Sequence, residues 1–183
     1  MIFAETRLLG VYLIELEPRR DERGFFARQW CAQEFVRAGL DSAIAQINTA
    51  HSTRAGTLRG MHYQRAPHAE IKLVRCTRGA VFDVAVDLRA DSPTYRQWFG
   101  VQLDDESGRQ LYIPHGCAHG YLTLVANTDV VYQASVPYAP GSATGVRHDD
   151  PAFNIVWPRP IEVISRQDQE WPRFARRQAL TAA

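Results

Sequence analysis

The chain has 183 residues, 45% hydrophobic and 22% charged, with 21 Lys+Arg against 20 Asp+Glu for a formal net charge of +1. That length can bury a sizeable core without disulfides, so one domain is expected over residues 1–183. The near-neutral charge excludes the global positive field by which nucleic acids and anionic membranes are held. An anionic ligand would have to be gripped by a few placed arginines instead.

Residues 8–16, rich in Val, Ile, Leu and Tyr, read as a strand, and Asp21-Glu22-Arg23-Gly24 as a turn. Glu5, Arg7, Glu15 and Glu17 interrupt any apolar run that would make a signal peptide. Residues 31–38 predict a short helix, with Phe35 four positions beyond Cys31 and Gly39 at the C′ position. Short strands follow over Thr57–Gln64, residues 71–76 and residues 80–88, the last two joined by a turn at Arg78-Gly79. Asp91-Ser92-Pro93 breaks the chain. Further strands are expected over residues 98–103, Gln110–Ile113, residues 120–125 and residues 130–135, with a connection over 114–119. Strands this short, with turn chemistry about every ten residues and no helices between, argue for an all-β sandwich or barrel. From Pro158 onward the chain reads as irregular or short helix.

Cys31, Cys76 and Cys117 are odd in number and include no CxxC pair. Neither a zinc ribbon nor a redox motif is indicated, and a reducing compartment fits. No stretch approaches the roughly 18 apolar residues of a membrane span. The expectation is a cytoplasmic protein with no nucleic-acid or membrane partner.

Several polar residues do not suit the strands that carry them. In a two-sheet barrel one strand face points inward, where polar groups are costly unless paired or used. Strict alternation puts His62 and Gln64 on one face of 57–64 and Arg59 on the other, unless Gly60 marks a bulge that re-aims Arg59. Lys72 lies inside a β-rich run, after Ile71 and before Leu73-Val74, either snorkelling at an edge or standing in a cavity as a fixed cation. Asp83 is free to orient a cavity group, whereas Asp87 reads as the wet side of a strand. Tyr132 and Tyr138 suit a core as well as a site. Asp168 is either solvated or set to orient a histidine.

Pro114-His115-Gly116-Cys117-Ala118-His119-Gly120 resembles the second motif of the cupin superfamily: Gly108, Pro114, Gly116 and His119 match, and Thr123 replaces the usual Asn. The first cupin motif supplies His-x-His and a Glu in metal-dependent members. Here that region has only His62, followed by Tyr63 and Gln64, too few ligands for zinc or iron.

Taken together, the segments resemble the dTDP-4-dehydrorhamnose 3,5-epimerase family from about Gly10 to Asp168. The resemblance is carried by Asp21-Glu22-Arg23-Gly24-Phe25-Phe26, Leu58-Arg59-Gly60-Met61-His62-Tyr63-Gln64, Lys72-Leu73-Val74-Arg75, Asp83-Val84-Ala85-Val86-Asp87-Leu88-Arg89, Ser92-Pro93-Thr94-Tyr95, Tyr112 through Gly120, and Asp150-Pro151. It implies an all-β, cupin-type double-sheet β-barrel (jelly roll) with a few short peripheral helices. It also implies epimerisation at C3 and/or C5 of a nucleotide-linked 4-keto-6-deoxyhexose, without cofactor or metal.

By the same resemblance His62 is the base, with a side chain whose unperturbed pKa near 6.5 suits neutral pH. Asp168 orients it, Lys72 faces the enolate oxygen, and Tyr132 returns a proton from the opposite face. Arg23, Arg59 and His119 grip diphosphate and sugar, Tyr138 stacks on the base, and Gln46 with Asn48 lies near the nucleotide. Arg23 reaching a neighbouring subunit's site implies a homodimer with exchanged N-terminal strands. Arg28, Ala143 and Gln167 depart from the family's usual residues at nucleotide-side or rim positions, and the Glu70-Ile71-Lys72 stretch also differs from the usual Gln-Gly-Lys. Other readings are a mono-epimerase of another 4-keto deoxysugar nucleotide, a metal-dependent cupin holding its ion at His62 and His119, and a binding protein without turnover.

Overall fold

The structure, a computed structural model, describes residues 1–174. The last residues of the expected domain, 175–183, lie outside the described residues. Two sheets form the body. The first has the order β1 (Ile2–Glu5), β2 (Tyr12–Glu15), β10 (Gln110–Ile113), β7 (Lys72–Arg78), β12 (Thr128–Ala134) and β5 (Gln46–Ser52). The second runs β13 (Ala143–Gly145), β6 (Thr57–Gln64), β11 (Cys117–Thr123), β8 (Ala80–Asp87) and β9 (Trp98–Asp104). The short β14 (Val163–Ile164) joins β6 in parallel, and the other pairings are antiparallel. A separate hairpin pairs β3 (Arg19–Asp21) with β4 (Gly24–Phe26). The helices are α1 (Ala32–Arg37) and α2 (Arg166–Glu170). This is the expected double-sheet jelly roll with short peripheral helices.

The core lies between the sheets. Val74, Cys76, Leu111, Ile113 and Val130 of the first meet Val81, Ala85, Leu103, Cys117 and Tyr121 of the second. Cys76 and Cys117 belong to this packing: burial pushes their thiols up to about 11 and about 12, and all three cysteines are free. Both outer faces are also covered. Val146, Phe153, Ile155, Trp157 and Phe174 pack on the back of β6 and β8. Phe35 of α1 and Trp30 pack on Ile14, Leu73 and Tyr112 of the first sheet. Double coverage explains why alternation fades: every residue of β11 is buried.

Several expected elements shift. The strand expected at 8–16 shortens to β2, because Val11 closes a turn onto Leu8 O (3.1 Å). Residues 117–119, expected in a connection, begin β11. β1, the β3–β4 hairpin and β5 were not expected. β5 alternates, but its buried and exposed positions include His51, Ser52 and a 62%-exposed Ile47, so it lacks an apolar stripe. Asp87, expected on a wet face, is fully buried. It accepts from Arg89, Ser92 and Thr94, which tie the 88–94 turn to the barrel. Among the described residues no helix is long and apolar enough to cross a membrane.

Candidate active site

A bulge in β6 builds one wall. On β11 the partners His119 and Tyr121 are two apart, but they face His62 and Arg59, three apart on β6. The extra residue returns Arg59 to the side of His62, against the strict-alternation expectation. Gly60 is the residue that allows it: its φ is +144, and a Cβ there would stand 2.5 Å from Gly120 Cα. Arg59 then reaches across to the opposite sheet, donating from Nη2 to His51 O at 2.9 Å and from Nε to Ser52 Oγ at 3.3 Å.

His62 meets Asp168, with Nε2 2.6 Å from Oδ1. Asp168 is presented by α2, whose first turn is capped by Ser165 Oγ accepting from the Asp168 N–H at 3.0 Å. Gly60 N–H donates to its other oxygen at 3.2 Å, and Trp171 Nε1 to the first at 3.1 Å. Burial alone would raise this carboxyl, but the hydrogen bond and charge of His62, aided by Gly60 and Trp171, hold it below its ordinary value.

Lys72 and Tyr132 come from the facing sheet. Lys72 is 9% exposed; its Nζ lies 3.0 Å from Glu70 Oε1 and 5.9 Å from the centre of the Tyr132 ring. Burial first, and the Glu70 carboxylate second, hold the Tyr132 hydroxyl above its ordinary value. His119 Nε2 sits 2.7 Å from Asp83 Oδ1, so Asp83 does orient a cavity group.

The cleft has two compartments. One, of about 250 Å³, is lined by Gln46, Asn48, Tyr138 and Ala143. The other, of about 540 Å³, is lined by Arg59, His119 and Tyr121. His62, Lys72, Tyr132 and Gln167 line both and mark the junction. Gln46 Oε1 accepts from the Tyr138 N–H at 2.5 Å, and Gln64 Oε1 from the Ala139 N–H at 2.6 Å, which pins the segment presenting the exposed Tyr138 ring.

Of the sequence-predicted residues, all but Arg23 gather in this cleft or hold its lining. Arg23 sits at the exposed tip of the β3–β4 hairpin, bound to Asp21 of its own turn. Arg28 pairs with Glu34 at 2.9 Å and lines neither compartment. Sequence reasoning missed Trp171 altogether and took Glu70 only as a departure. The signal was present in each case, as a tryptophan three residues beyond Asp168 and a carboxylate two residues before Lys72.

Among the described residues no group of three or more His, Cys, Asp or Glu is placed to hold a metal ion. The Nε2 atoms of His62 and His119 are each engaged by a carboxylate.

A two-sheet jelly roll whose cleft sets His62 of one sheet, held by Asp168 of α2, against Lys72 and Tyr132 of the other is a cupin-type barrel. The family model described as dTDP-4-dehydrorhamnose 3,5-epimerase matches residues 5–176, and the chain belongs to that family. It is an isomerase of the sugar-nucleotide epimerase kind. A dTDP-4-dehydrorhamnose 3,5-epimerase of Sinorhizobium fredii is 42% identical over 173 residues, 94% of this chain and 89% of that protein. The solved Legionella pneumophila dTDP-6-deoxy-D-glucose-3,5-epimerase, in complex with dTDP-4-keto-L-rhamnose, superposes with a TM-score of 0.91 at 35% identity, covering 100% of this chain and 98% of that one. A 3′-monoepimerase from Streptomyces bikiniensis in complex with dTDP-quinovose gives 0.86 at 34% identity, covering 93% and 86%.

Proposed function

We propose that this protein epimerises a dTDP-linked 4-keto-6-deoxyhexose at C3 and C5, as dTDP-4-dehydrorhamnose 3,5-epimerases do. The observation that carries the reading is the junction of the cleft, where His62 on one sheet, paired with Asp168 of α2, meets Lys72 and Tyr132 on the other. A C4 ketone acidifies the C–H bonds at C3 and C5. The free His62 nitrogen takes the proton, giving an imidazolium beside Asp168 and an enolate whose oxygen Lys72 stabilises. Tyr132 delivers its phenolic proton to the opposite face, which inverts the centre and leaves a tyrosinate. Exchange with solvent reprotonates Tyr132 and discharges His62. Asp168 is a positioning residue that fixes the ring and balances its charge.

The compartment with Tyr138, Gln46 and Asn48 takes the nucleoside, the tyrosine ring stacking on the base. Arg59 and His119 meet the diphosphate–sugar part, where a planar guanidinium suits phosphate oxygens. The nucleotide-sugar dTDP-4-keto-6-deoxyglucose, incubated with the protein in D₂O and followed by NMR, is expected to gain deuterium at both carbons. No exchange at either carbon sinks the proposal. His62→Asn should abolish exchange while dTDP still binds, and undiminished exchange removes His62 from the mechanism.

A second reading, inversion at C3 alone, is favoured by the likeness to the 3′-monoepimerase from Streptomyces bikiniensis. Deuterium confined to C3 in the same experiment selects it.

The unit of function proposed is a single epimerase domain over residues 1–183, working in the cytoplasm as a homodimer with exchanged N-terminal strands. The hairpin carrying Arg23 leaves Phe25 61% and Phe26 70% exposed, an apolar surface that a second copy would cover. Arg23 would then enter the partner's cleft. Light scattering should give a dimer mass, and Arg23→Ala should weaken dTDP binding without dissociating the dimer. A monomer in solution excludes this arrangement, and cell fractionation tests the compartment.

A further inference from the structure

Trp171 follows α2 and stands in the wall of the smaller compartment. Its indole N–H donates to Asp168 Oδ1 at 3.1 Å, the same oxygen that lies 2.6 Å from His62 Nε2. The indole also stands edge-on to the imidazole, with centroids 6.2 Å apart and planes at 72°. Gly145 on β13 is its seat: a Cβ there would lie 2.5 Å from Trp171 Cε2 and 2.6 Å from Nε1. Gly145 is paired with His62 in the β13–β6 ladder, so seat and base are parts of one rigid unit.

We propose that Trp171 is a positioning residue for proton abstraction, its indole N–H aiming the Asp168 carboxylate and sharing that carboxylate's charge with His62. The inference rests on the epimerase reading above. Three donors from three places fix Asp168: the His62 ring, the Gly60 N–H and the Trp171 N–H. Carboxylate orientation is therefore set by more than its bond to the base. With the indole donor gone, more of the negative charge falls on the imidazolium, which then holds its proton more tightly. The base is idle whenever it is protonated, so activity on the acid side falls. Among the described residues the other charged or titratable groups facing the pair include Arg59 on β6, Glu70 just before β7, Lys72 on β7, His119 on β11, Tyr132 on β12, and His148 beyond β13. None of them is altered by changing Trp171.

Trp171→Phe keeps an aromatic ring beside Gly145, smaller than the indole, and removes the N–H. The acid limb of kcat/KM should move up by about half a pH unit, and the NMR titration of the His62 ring, which reports the coupled pair, should move with it. The Kd for dTDP, measured alongside, reports any change to the compartment wall that Trp171 shares, whereas the ring titration is read in ligand-free protein and does not depend on it. An acid limb and ring titration that coincide with wild type in a folded Trp171→Phe protein overturn the proposal. Should that variant fail to fold, incorporation of 5-fluorotryptophan leaves every ring in place and makes the N–H a stronger donor. The pair should then titrate at lower pH, and an unmoved titration overturns the proposal equally. The His62 titration does not depend on turnover, so a wild-type protein inactive on 4-keto sugar nucleotides would refute the reaction and leave the role of Trp171 separately testable.

Discussion

His62 Nε2 lies 2.6 Å from Asp168 Oδ1 although 106 positions of sequence separate them. The pair exists because β14 lays the C-terminal segment along β6 in parallel, Val163 opposite Thr57 and Ile164 opposite Leu58. Two residues of strand and a Ser165 cap then bring Asp168 to the imidazole. A loop-borne carboxylate would be mobile. This one is aimed by a capped turn, by Gly60 and by Trp171.

Replacing Asp168 by Asn keeps the shape and removes the charge. The imidazolium formed on proton abstraction loses its counter-charge, and turnover should fall by about 10²-fold or more. The stability effect has a definite sign. The folded carboxyl titrates below its ordinary value, so its contribution is fully present above that ordinary value and is lost as pH falls through the folded one. Asp168→Asn should therefore be less stable than wild type at pH 7, with the gap closing in acid, as urea melts at the two pH values would show.

Glu70→Gln should move the basic limb of the pH–rate profile. Tyr132 must be protonated to act as the acid, so rate is lost as pH rises through its titration. Burial and then Glu70 keep that titration above the ordinary tyrosine value. Removing the negative neighbour lowers it, and the basic limb of kcat should shift to lower pH while the acid limb moves little. A basic limb that does not move would take Glu70 out of the control of Tyr132.

Much of this site was legible because it is written in residues that a strand does not want. His62, Lys72 and Asp83 stood out as polar groups in apolar runs, and each proved to face a partner in the cleft. Asp87 misled because a strand covered on both faces removes the distinction between wet and dry sides. Only the fold shows that the 88–94 turn closes over it. β5 was invisible because its inward positions are Gln46, Asn48, Ala50 and Ser52, mostly polar, and it is held by pairing with β12 and not by an apolar stripe. Trp171 offered only its spacing, three residues beyond Asp168. Its role depends on the Gly145 seat, and nothing local in the sequence joins those two positions.

The His119–Asp83 pair is buried, with Asp83 fully enclosed and its Oδ2 without a hydrogen-bond partner among the described residues. His119→Phe would strand that carboxylate, and breaking a buried pair from one side typically costs about 3–5 kcal/mol. Adding Asp83→Leu removes the stranded charge, and an apolar replacement of both partners is often near neutral. The double variant should thus be more stable than His119→Phe alone, though its substrate affinity stays low. If the single variant unfolds at the wild-type urea midpoint, the pair carries no structural weight.

Gly60→Ala tests the bulge itself. The residue sits at φ +144, where an L side chain is strained by about 1–3 kcal/mol. The added Cβ would also meet backbone, 2.5 Å from Gly120 Cα and 3.1 Å from His119 O, and backbone cannot swing aside as a side chain can. Relief requires the β6–β11 register to straighten, and straightening turns Arg59 away from His62, to the face that simple alternation assigns it. It also draws the Gly60 N–H from Asp168 Oδ2. The expected result is a lower melting temperature together with dTDP binding weakened about tenfold, the loss of one charged hydrogen-bonding group. Arg59→Ala in the wild-type background should weaken binding by a similar factor with little effect on melting. Wild-type dTDP affinity in a folded Gly60→Ala protein would show that Arg59 reaches the ligand without the bulge.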